Sequence, residues 1–476
     1  MTKTINNHNM VNAALRLLTI AFAATTLTGC GLYKKYERPD ISVDGIVRDT
    51  ARIDAVMPTS ADTTSFGDVA WQEVFTDPQL QTLISKGLEN NNDIFAAAAN
   101  VKKLEAALSC ARLAFLPSVV FSPSGTLSKV VTGDKKSDWS KSYALPISAS
   151  WTVDIFGGIL ATKRNAEMNL AMARDMEHVT RSKVICGVAN SYYTLLMLDR
   201  QLEILNDMDK LTGETYEMMK LQKELRGAKE TSVVSAKAAN LGVKADIVDM
   251  QRQIREVENA LSLLIGQSAQ SIARGKLEDQ TLPEQFSAGC SIALLRNRPD
   301  VHAAEMKLAA CFYSVEKARS SFYPKLTISG TGSFTNSLGS TIANPGQLLA
   351  NFVAGLTQPI FQNGRLVAEL KVAKLDYEVA ERDWRQSVLN AGAEVSNSLV
   401  EYNSARQSGD LDRQQVEALT KGVDYTMQLY RMGSSSYLEV LTAQSSLLNA
   451  EISQVVDDFN KMQAVVNLYS ALGGGR

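Results

Sequence analysis

An internal repeat constrains the fold of this chain more than any other feature of its sequence. Residues 93–117 align with residues 300–324 at a constant shift of 207 positions. The first-copy residues that meet identical residues under this shift are Asp93, Ala96, Ala97, Ala111, Arg112, Phe115, Pro117, Ser122 and Gly125. The match continues with Gly227 on Gly433 and Gly266 on Gly473. Because the similarity extends over about 170 residues, the sequence predicts one supersecondary unit that is built twice.

Each repeat has the same predicted order of elements. A helical segment ends at Pro117 or Pro324, because proline stops a helix and favours an extended residue before it. Two strands follow, at 118–132 and 141–156 in the first repeat and at 325–336 and 348–361 in the second. Small or polar residues alternate with the apolar residues Tyr143, Leu145, Ile147, Ala149, Trp151, Val153 and Ile155. The intervening segments 133–137 and 336–346 are predicted turns.

A long helix and a returning helix are predicted after each strand pair. Residues 159–225 contain no proline, and a helix of this length would extend about 100 Å. The returning helices carry mainly apolar residues at alternating steps of three and four, which is typical of coiled coils. In the first repeat these residues are Val243, Ile247, Met250, Ile254, Val257, Leu261 and Leu264. In the second they are Leu438, Leu441, Ser445, Leu448, Ile452, Val455, Phe459, Met462, Val466 and Tyr469.

The N-terminal residues have the layout of an export signal. Positive charges at Lys3 and Arg16 precede the apolar residues 17–27 and then small residues, as in a cleavable signal. This run is too short for a transmembrane helix, which needs about 20 apolar residues. Residues 27–30, Leu-Thr-Gly-Cys, resemble the bacterial lipobox, in which the signal is removed and the cysteine receives a lipid. By that resemblance Cys30 is the lipidation site, and Gly31 after it indicates the outer membrane.

These signals divide the chain into five parts. We assign residues 1–29 to the signal peptide and residues 30–70 to a lipid-anchored extended segment. Residues 71–270 form the first repeat, residues 271–298 a linker and residues 299–476 the second repeat.

Composition and residue types favour conduction over catalysis. The net charge of −2 and the lack of a long basic block argue against a nucleic-acid partner. The three histidines, His8, His178 and His302, belong to no catalytic triad or metal-ligand pattern, and no phosphate-binding loop is present. We therefore predict neither an enzyme nor a metal site, and no cofactor other than the lipid on Cys30. The remaining cysteines are predicted free thiols: Cys110, Cys186, Cys290 and Cys311.

The number of strands predicts an assembly. Two strands in each repeat give four in the chain, whereas a closed transmembrane barrel needs at least about eight. Three copies would give twelve strands and room for a water-filled interior. The alternative is that these strands are half-buried in a soluble sandwich, but helices of about 100 Å have no obvious place there.

Several motifs resemble the TolC family of outer-membrane efflux lipoproteins. The matching segments cover the mature chain from end to end. They are the lipobox with Tyr36-Glu-Arg-Pro39, Trp71-Gln-Glu-Val-Phe-Thr-Asp-Pro-Gln-Leu80, Leu294-Leu-Arg-Asn-Arg-Pro-Asp300, Phe322-Tyr-Pro324, Leu356-Thr-Gln-Pro-Ile-Phe361, Asn363-Gly-Arg-Leu366 and Leu468-Tyr-Ser-Ala-Leu-Gly-Gly-Gly475. The resemblance implies a mainly α fold with a transmembrane β-barrel. In the homotrimer, a twelve-stranded barrel would continue into a twelve-helix periplasmic barrel.

The resemblance also implies a function and partners. A chain of this family is the outer-membrane channel of a tripartite drug pump and conducts small toxic compounds passively. It receives them from a periplasmic adaptor and an inner-membrane pump of the resistance-nodulation-division type. Two alternatives remain open: the exit duct of a type I protein-secretion or heavy-metal export system with the same fold, and a coiled-coil lipoprotein scaffold without a pore.

Site residues follow from the same resemblance, at the ends of the long helices. The adaptor-contact tips would comprise Arg226, Gly227, Arg431, Gly433, Ser434 and Ser435. The periplasmic aperture would comprise Tyr430, Leu438, Glu439 and Thr442. Thr442 departs from the family pattern, because members often have an aspartate at this position. Glu439, three residues earlier on the same helix face, is our candidate for a substitute carboxylate.

Overall fold

The computed structural model describes residues 34–40, 66–129, 131–132, 135–136, 139–226, 229–281, 298–335 and 347–475. The predicted signal peptide, Cys30 and residues 282–297 of the predicted linker lie outside these ranges. The chain divides into two compact units. One contains Met1–Asp40, Lys102–Met172 and Ala304–Trp384, and the other contains Ile41–Val101, Ala173–Ala303 and Arg385–Arg476. Each unit therefore takes segments from both repeats.

The fold is mainly helical, and the three longest helices of the first repeat recur in the same order in the second. The helices are α1 (Trp71–Val74), α2 (Pro78–Asn90), α3 (Asn92–Leu113), α4 (Gly158–Arg226), α5 (Glu230–Leu264), α6 (Pro299–Ser320), α7 (Arg365–Arg431) and α8 (Tyr437–Ala471). Helices α3 and α6 have 22 residues each, α5 and α8 have 35 each, and α4 and α7 have 69 and 67. The predicted long helices are thus confirmed. Of the helices in the described ranges, none has the length and apolar character needed to cross a membrane.

The strands are β1 (Ser118–Phe121), β2 (Ser124–Ser128), β3 (Val131–Thr132), β4 (Lys135–Lys136), β5 (Ser140–Val153), β6 (Lys325–Thr335) and β7 (Gln347–Thr357). Strands β1 and β2 both pair with β5, followed in order by β6 and β7, and all pairs are antiparallel. The predicted positions of three of the four strands are confirmed to within a few residues at their ends. The short pair of β3 and β4 includes part of the first predicted turn.

The first predicted strand, 118–132, is wrong in one respect, because it is not continuous. Its parts β1 and β2 keep one register on β5, with Phe121 opposite Ile147 and Ser124 opposite Ala144. Between them Ser122 donates its N–H to the carbonyl of Pro146 at 3.2 Å. Pro146 has no N–H to return the second bond of this pair, so the ladder is interrupted there. We therefore count β1 and β2 as one interrupted strand, which gives four in the sheet.

One face of the sheet is apolar and the other is polar. On the apolar face, Leu145 lies opposite Phe334, Ile147 opposite Gly332, Trp151 opposite Ile328 and Val153 opposite Leu326. On the polar face, Ser148 lies opposite Thr331, Ser150 opposite Ser329 and Thr152 opposite Thr327. Side chains on a strand alternate between the two faces, so the pairing of β5 with β6 separates apolar from hydroxyl residues. On the outer strands, Val120, Leu349 and Val353 also lie on the polar face.

The predicted coiled-coil residues of α5 are confirmed. All seven are at least partly buried, and Val243 packs with Leu205 and Met208 of α4. In α8 the predicted set is confirmed from Ile452 onward and at Leu441 and Leu448, which are partly buried, but it is wrong at Leu438 and Ser445, which are exposed. At the start of α8 the buried residues are Tyr437, Val440, Gln444 and Leu447, whereas Leu438 is 70% exposed. The buried face is shifted by one residue because this end of α8 packs against α4 and α5 as well as against its own hairpin.

Candidate functional site

The predicted tip of the second repeat is a tight reversal between α7 and α8. Gly433 has a φ of 77°, in the left-handed region that favours glycine. Its N–H donates to the carbonyl of Tyr430 at 2.9 Å, and the N–H of Ser434 donates to the carbonyl of Leu429 at 2.9 Å. These two bonds form a Schellman motif, which satisfies carbonyls that the helix end would leave open. Gly433 therefore ends α7 as the sequence predicted.

Helix α8 begins with a capping box, and this box involves a predicted aperture residue. The Glu439 N–H donates to the hydroxyl of Ser436 at 3.4 Å, and the Ser436 N–H donates to the Glu439 carboxylate at 3.1 Å. The Ser435 hydroxyl also donates to that carboxylate. The hydrogen bond from Ser435, followed by that from the Ser436 backbone, holds the pKa of Glu439 below its usual value. Glu439 therefore stabilises the tip as an ionised cap, a role that sequence reasoning missed although Ser436 and Glu439 have the capping-box spacing.

Tyr430, a predicted aperture residue, connects the two helical hairpins. Its hydroxyl donates to the side-chain oxygen of Gln222 on α4 at 2.5 Å and lies 3.1 Å from the sulfur of Met219. The ring packs on a buried cluster formed by Met219, Val233, Ala236 and Tyr437. Residues of α4, α5, α7 and α8 thus meet in one cluster beside the tip. Separating the hairpins here would expose this cluster.

The other predicted site residues lie at the surface of the chain. Arg431 and Ser434 are exposed, as are Leu438 and Thr442. The Thr442 hydroxyl donates to the carbonyl of Leu438 at 2.8 Å. Arg226 is the last residue of α4, whereas Gly227 and the side chain of Arg226 lie outside the described residues. The assignment of these residues to an adaptor contact or to an aperture stays a prediction.

A buried polar contact lies above the tip, and sequence reasoning did not identify it. Gln444 of α8 is 2% exposed and donates to the Thr215 hydroxyl of α4 at 3.3 Å. On α5, Asn240 similarly donates to Asp209 at 2.7 Å and to Thr212 at 3.1 Å. Polar residues at seam positions of coiled coils fix which turns of the helices face each other. The signal in the sequence was Asn240, which lies three residues before the first residue of the predicted α5 seam.

Arg298 forms a second buried polar cluster. Its guanidinium donates to Asp300 at 2.9 and 2.7 Å, to Glu394 of α7 at 2.6 Å and to the carbonyl of Ala471 at 2.8 Å. Arg298 is 5% exposed. The last of these bonds satisfies a carbonyl at the C-terminal end of α8, where a positive charge is favourable. This residue lies in the Leu-Arg-Asn-Arg-Pro-Asp motif quoted above, but sequence reasoning gave it no role.

Hydroxyl and other uncharged residues cover the polar face of the sheet. Within the described strands the one charged residue on this face is Lys325, at the start of β6.

In the described part of the chain no group of His, Cys, Asp and Glu side chains is arranged to hold a metal ion. Cys110, Cys186 and Cys311 are free thiols, as predicted, and burial raises the pKa of Cys186 to about 11.

Comparison with known proteins agrees with this geometry. The sequence model of the outer membrane efflux protein family matches residues 83–267 and 292–474, one segment in each repeat. The cation efflux system protein CusC of Escherichia coli is 27% identical over 459 residues, covering 95% of this chain and 97% of the relative. The toluene efflux pump outer membrane protein TtgC of Pseudomonas putida is 28% identical over 466 residues, covering 96% and 95%.

A lipoprotein relative and a solved structure extend this comparison. The probable outer membrane lipoprotein SilC of Salmonella typhimurium is 25% identical over 467 residues, covering 97% of this chain and 99% of the relative. A crystal structure of CusC superimposes with a TM-score of 0.82 at 24% identity, covering 93% of this chain and 99% of that one, and shows that the fold is shared. The predicted family, channel function and outer-membrane location are confirmed. Because the family model matches more than half of the chain, this protein belongs to the outer membrane efflux protein family, as a channel of the outer membrane.

Proposed function

We propose that three copies of the chain form one closed channel that passes small toxic compounds out of the cell. The two-faced sheet carries this proposal. Its outer strands, β1/β2 and β7, have no further partner strand among the described residues, and open edges are not tolerated in lipid. Strands of 11 to 14 residues are long enough to span a bilayer when tilted. Three four-stranded sheets joined edge to edge would close a twelve-stranded barrel.

In this assembly the apolar face would contact lipid and the polar face would line the interior. Helices α4, α5, α7 and α8 of three copies would provide twelve helices for a periplasmic tunnel. The tips at Gly227 and Gly433 would meet a periplasmic adaptor, and an inner-membrane pump would supply the energy. The lipid on Cys30 would provide a second attachment to the membrane. We retain the predicted boundaries of the two repeats and of the linker for this arrangement.

The cargo is proposed to be selected by the pump rather than by this channel. The names of the relatives refer to cations in one case and to toluene in the other, so the fold serves chemically different cargoes. A surface lined mainly by uncharged residues, with Lys325 at one end of β6 as its one charged residue in the described strands, has little means to choose between them. Deletion of the gene, read on a panel of drugs, dyes and metal salts, will separate drug efflux from heavy-metal export.

Native mass measurement and planar-bilayer recording of the purified protein test the assembly. We expect a complex of three chains that produces steady conductance without an energy source. A monomer that produces no conductance would instead support a coiled-coil lipoprotein scaffold.

The aperture hypothesis predicts a specific effect of neutralising Glu439. In Glu439→Gln the amide oxygen can still accept the Ser436 N–H, so the capping box is kept while the charge is lost. We expect this variant to show weaker block by divalent cations in planar bilayers, because a ring of three carboxylates would be removed. Ser436→Ala is the matched control, since it weakens the cap and leaves the charge. Block that is unchanged in Glu439→Gln would exclude Glu439 from the aperture.

A further inference from the structure

Residues 34–40, which we call the strap, are docked on three helices. They follow Cys30 closely and include the Tyr36-Glu-Arg-Pro39 motif, to which the channel function gives no role. The ring of Tyr36 packs edge-on against Phe312 of α6, with ring centres 5.9 Å apart. Its N–H donates to the hydroxyl of Tyr313 at 3.4 Å, and Arg164 of α4 donates to the carbonyl of Lys34 at 3.4 Å. The Tyr36 hydroxyl is shielded from solvent.

The strongest contact of the strap is a two-bond ion pair. The Arg38 guanidinium donates through Nε to Oε1 of Glu305 at 2.7 Å and through Nη2 to Oε2 of the same carboxylate. It also lies 6.0 Å above the ring of Trp384, which is on α7. Planar two-bond pairing of this kind is specific to arginine. The strap therefore links α6 of the second repeat both to α7 and to α4 of the first repeat.

The burial of Glu305 makes its ion pair with Arg38 important for stability. Glu305 is 5% exposed, and Arg38 is its ion-pair partner among the described residues. A carboxylate in such a position is strongly unfavourable without a compensating cation. Helix α6 thus carries a buried negative charge whose neutralising group lies on a segment 267 positions earlier in the chain. An undocked strap would leave that charge uncompensated between the helices.

From these contacts we infer that the strap is an internal staple, with Arg38 as the residue that completes the buried Glu305 site. Four residue steps separate Lys34 from Cys30, a reach of about 14 Å in an extended chain. The staple therefore ties α4, α6 and α7 to the point where the lipid would be attached. Its contribution to stability comes from Arg38 and Tyr36 and does not require the lipid. The two statements about the lipid rest on the lipid anchor of the proposed function.

A double-mutant cycle in the full-length protein tests the staple. We expect Arg38→Met to lower the thermal unfolding temperature followed by circular dichroism, by on the order of 5 °C. Adding Glu305→Gln should recover most of this loss, because the neutral amide no longer needs a cation. Lys35→Met is the matched control, since Lys35 is an exposed cation of the same segment, and it should leave the temperature unchanged. Independent, additive effects of Arg38→Met and Glu305→Gln would overturn the inference, as would an equal loss in Lys35→Met.

A variant without the lipid separates the staple from the anchor. Cys30→Ser, exported with an ordinary cleavable signal, should unfold at the wild-type temperature and conduct as the wild type does. A loss in Cys30→Ser as large as that in Arg38→Met would show that docking depends on the lipid and would overturn the inference. Failure of the proposed function is distinguishable, because it appears as an absent trimer or absent conductance in the wild type. The unfolding temperatures of the four cycle members can be compared in either case.

Discussion

Replacing Ile147 by lysine will prevent assembly of the channel in the outer membrane, whereas lysine at the adjacent Ser148 will permit it. Both residues lie in the middle of β5. Ile147 faces the apolar side between Phe121 and Gly332, and Ser148 faces the polar side between Val120 and Thr331. A lysine on the lipid side near the bilayer midplane costs about 2–4 kcal/mol. In a trimer this cost would be paid in every copy, so the assembled state loses roughly three times as much.

The two variants differ in what they are expected to change. For Ile147→Lys we expect loss of heat-resistant trimers from the outer-membrane fraction, measured on semi-native gels. For Ser148→Lys we expect trimers at the wild-type level, with a reversal potential shifted toward anions because three positive charges now line the interior. Equal assembly of both variants would contradict a lipid-facing apolar surface. Loss of assembly in Ser148→Lys alone would mean that the two faces are assigned the wrong way round.

Periodicity explains how much of this fold could be predicted from sequence. The alternation of apolar and polar residues in strands and the spacing of apolar residues by three and four in helices are local properties of the sequence. They located the strands and the long helices to within a few residues. The interruption at Ser122 could not be predicted this way, because it depends on which residue of β5 lies opposite. Pro146 lacks the N–H needed there, and only the register of the pair shows this.

The beginning of α8 shows a second limit of local patterns. The heptad selected Leu438 and Ser445, which are exposed, whereas the structure buries their neighbours Tyr437 and Gln444. A heptad pattern predicts the helix face that packs against one partner helix. This end of α8 contacts α4 and α5 in addition to the other helix of its own hairpin. The tip residue Gly433 was predictable, because helix reversal has a local chemical requirement.

Ion pairs between distant segments were not predictable from the sequence. Arg274 binds Asp199 at 2.5 Å and Glu258 at 2.5 Å, and these residues lie on three different segments. No spacing rule connects such residues, because the fold alone brings them together. Two other arginines that form such ion pairs, Arg38 and Arg298, do lie in the motifs quoted for the family. The motif match therefore marked these positions, but their role could be assigned only once the structure showed their partners.

Among the single substitutions proposed for the helices, a change of Arg298 to alanine is expected to lower the free energy of unfolding most. The Arg298 side chain is 6% exposed and pairs with Asp300 and Glu394, which are 41% and 56% exposed. Breaking a buried pair costs about 3–5 kcal/mol. Because the two carboxylates left behind can be hydrated, we expect Arg298→Ala to cost about 3 kcal/mol, at the lower end of that range. The C-terminal end of α8 would also lose the donor to the carbonyl of Ala471.

Thermal unfolding followed by circular dichroism will measure this loss, with Arg413→Ala as the matched control. Arg413 pairs with Asp410 on the surface of α7, where both side chains are more than 60% exposed, and such pairs contribute about 0–1 kcal/mol. A loss in Arg298→Ala no larger than that in Arg413→Ala would show that the buried cluster does not stabilise the protein.

The pH dependence of the difference between wild type and Arg298→Ala identifies the ionic part of this contribution. Burial alone would raise the pKa of Asp300, but the hydrogen bonds and charge of Arg298 lower it overall. A carboxylate whose folded pKa is depressed contributes stability above its unfolded pKa of about 3.9, and this contribution is lost as the pH falls through the folded value. The difference in unfolding temperature should therefore be largest near neutral pH and shrink below about pH 4. A difference that stays constant down to pH values of about 2 would assign the effect of Arg298 to its packing and to its bond with the Ala471 carbonyl, not to the ion pair.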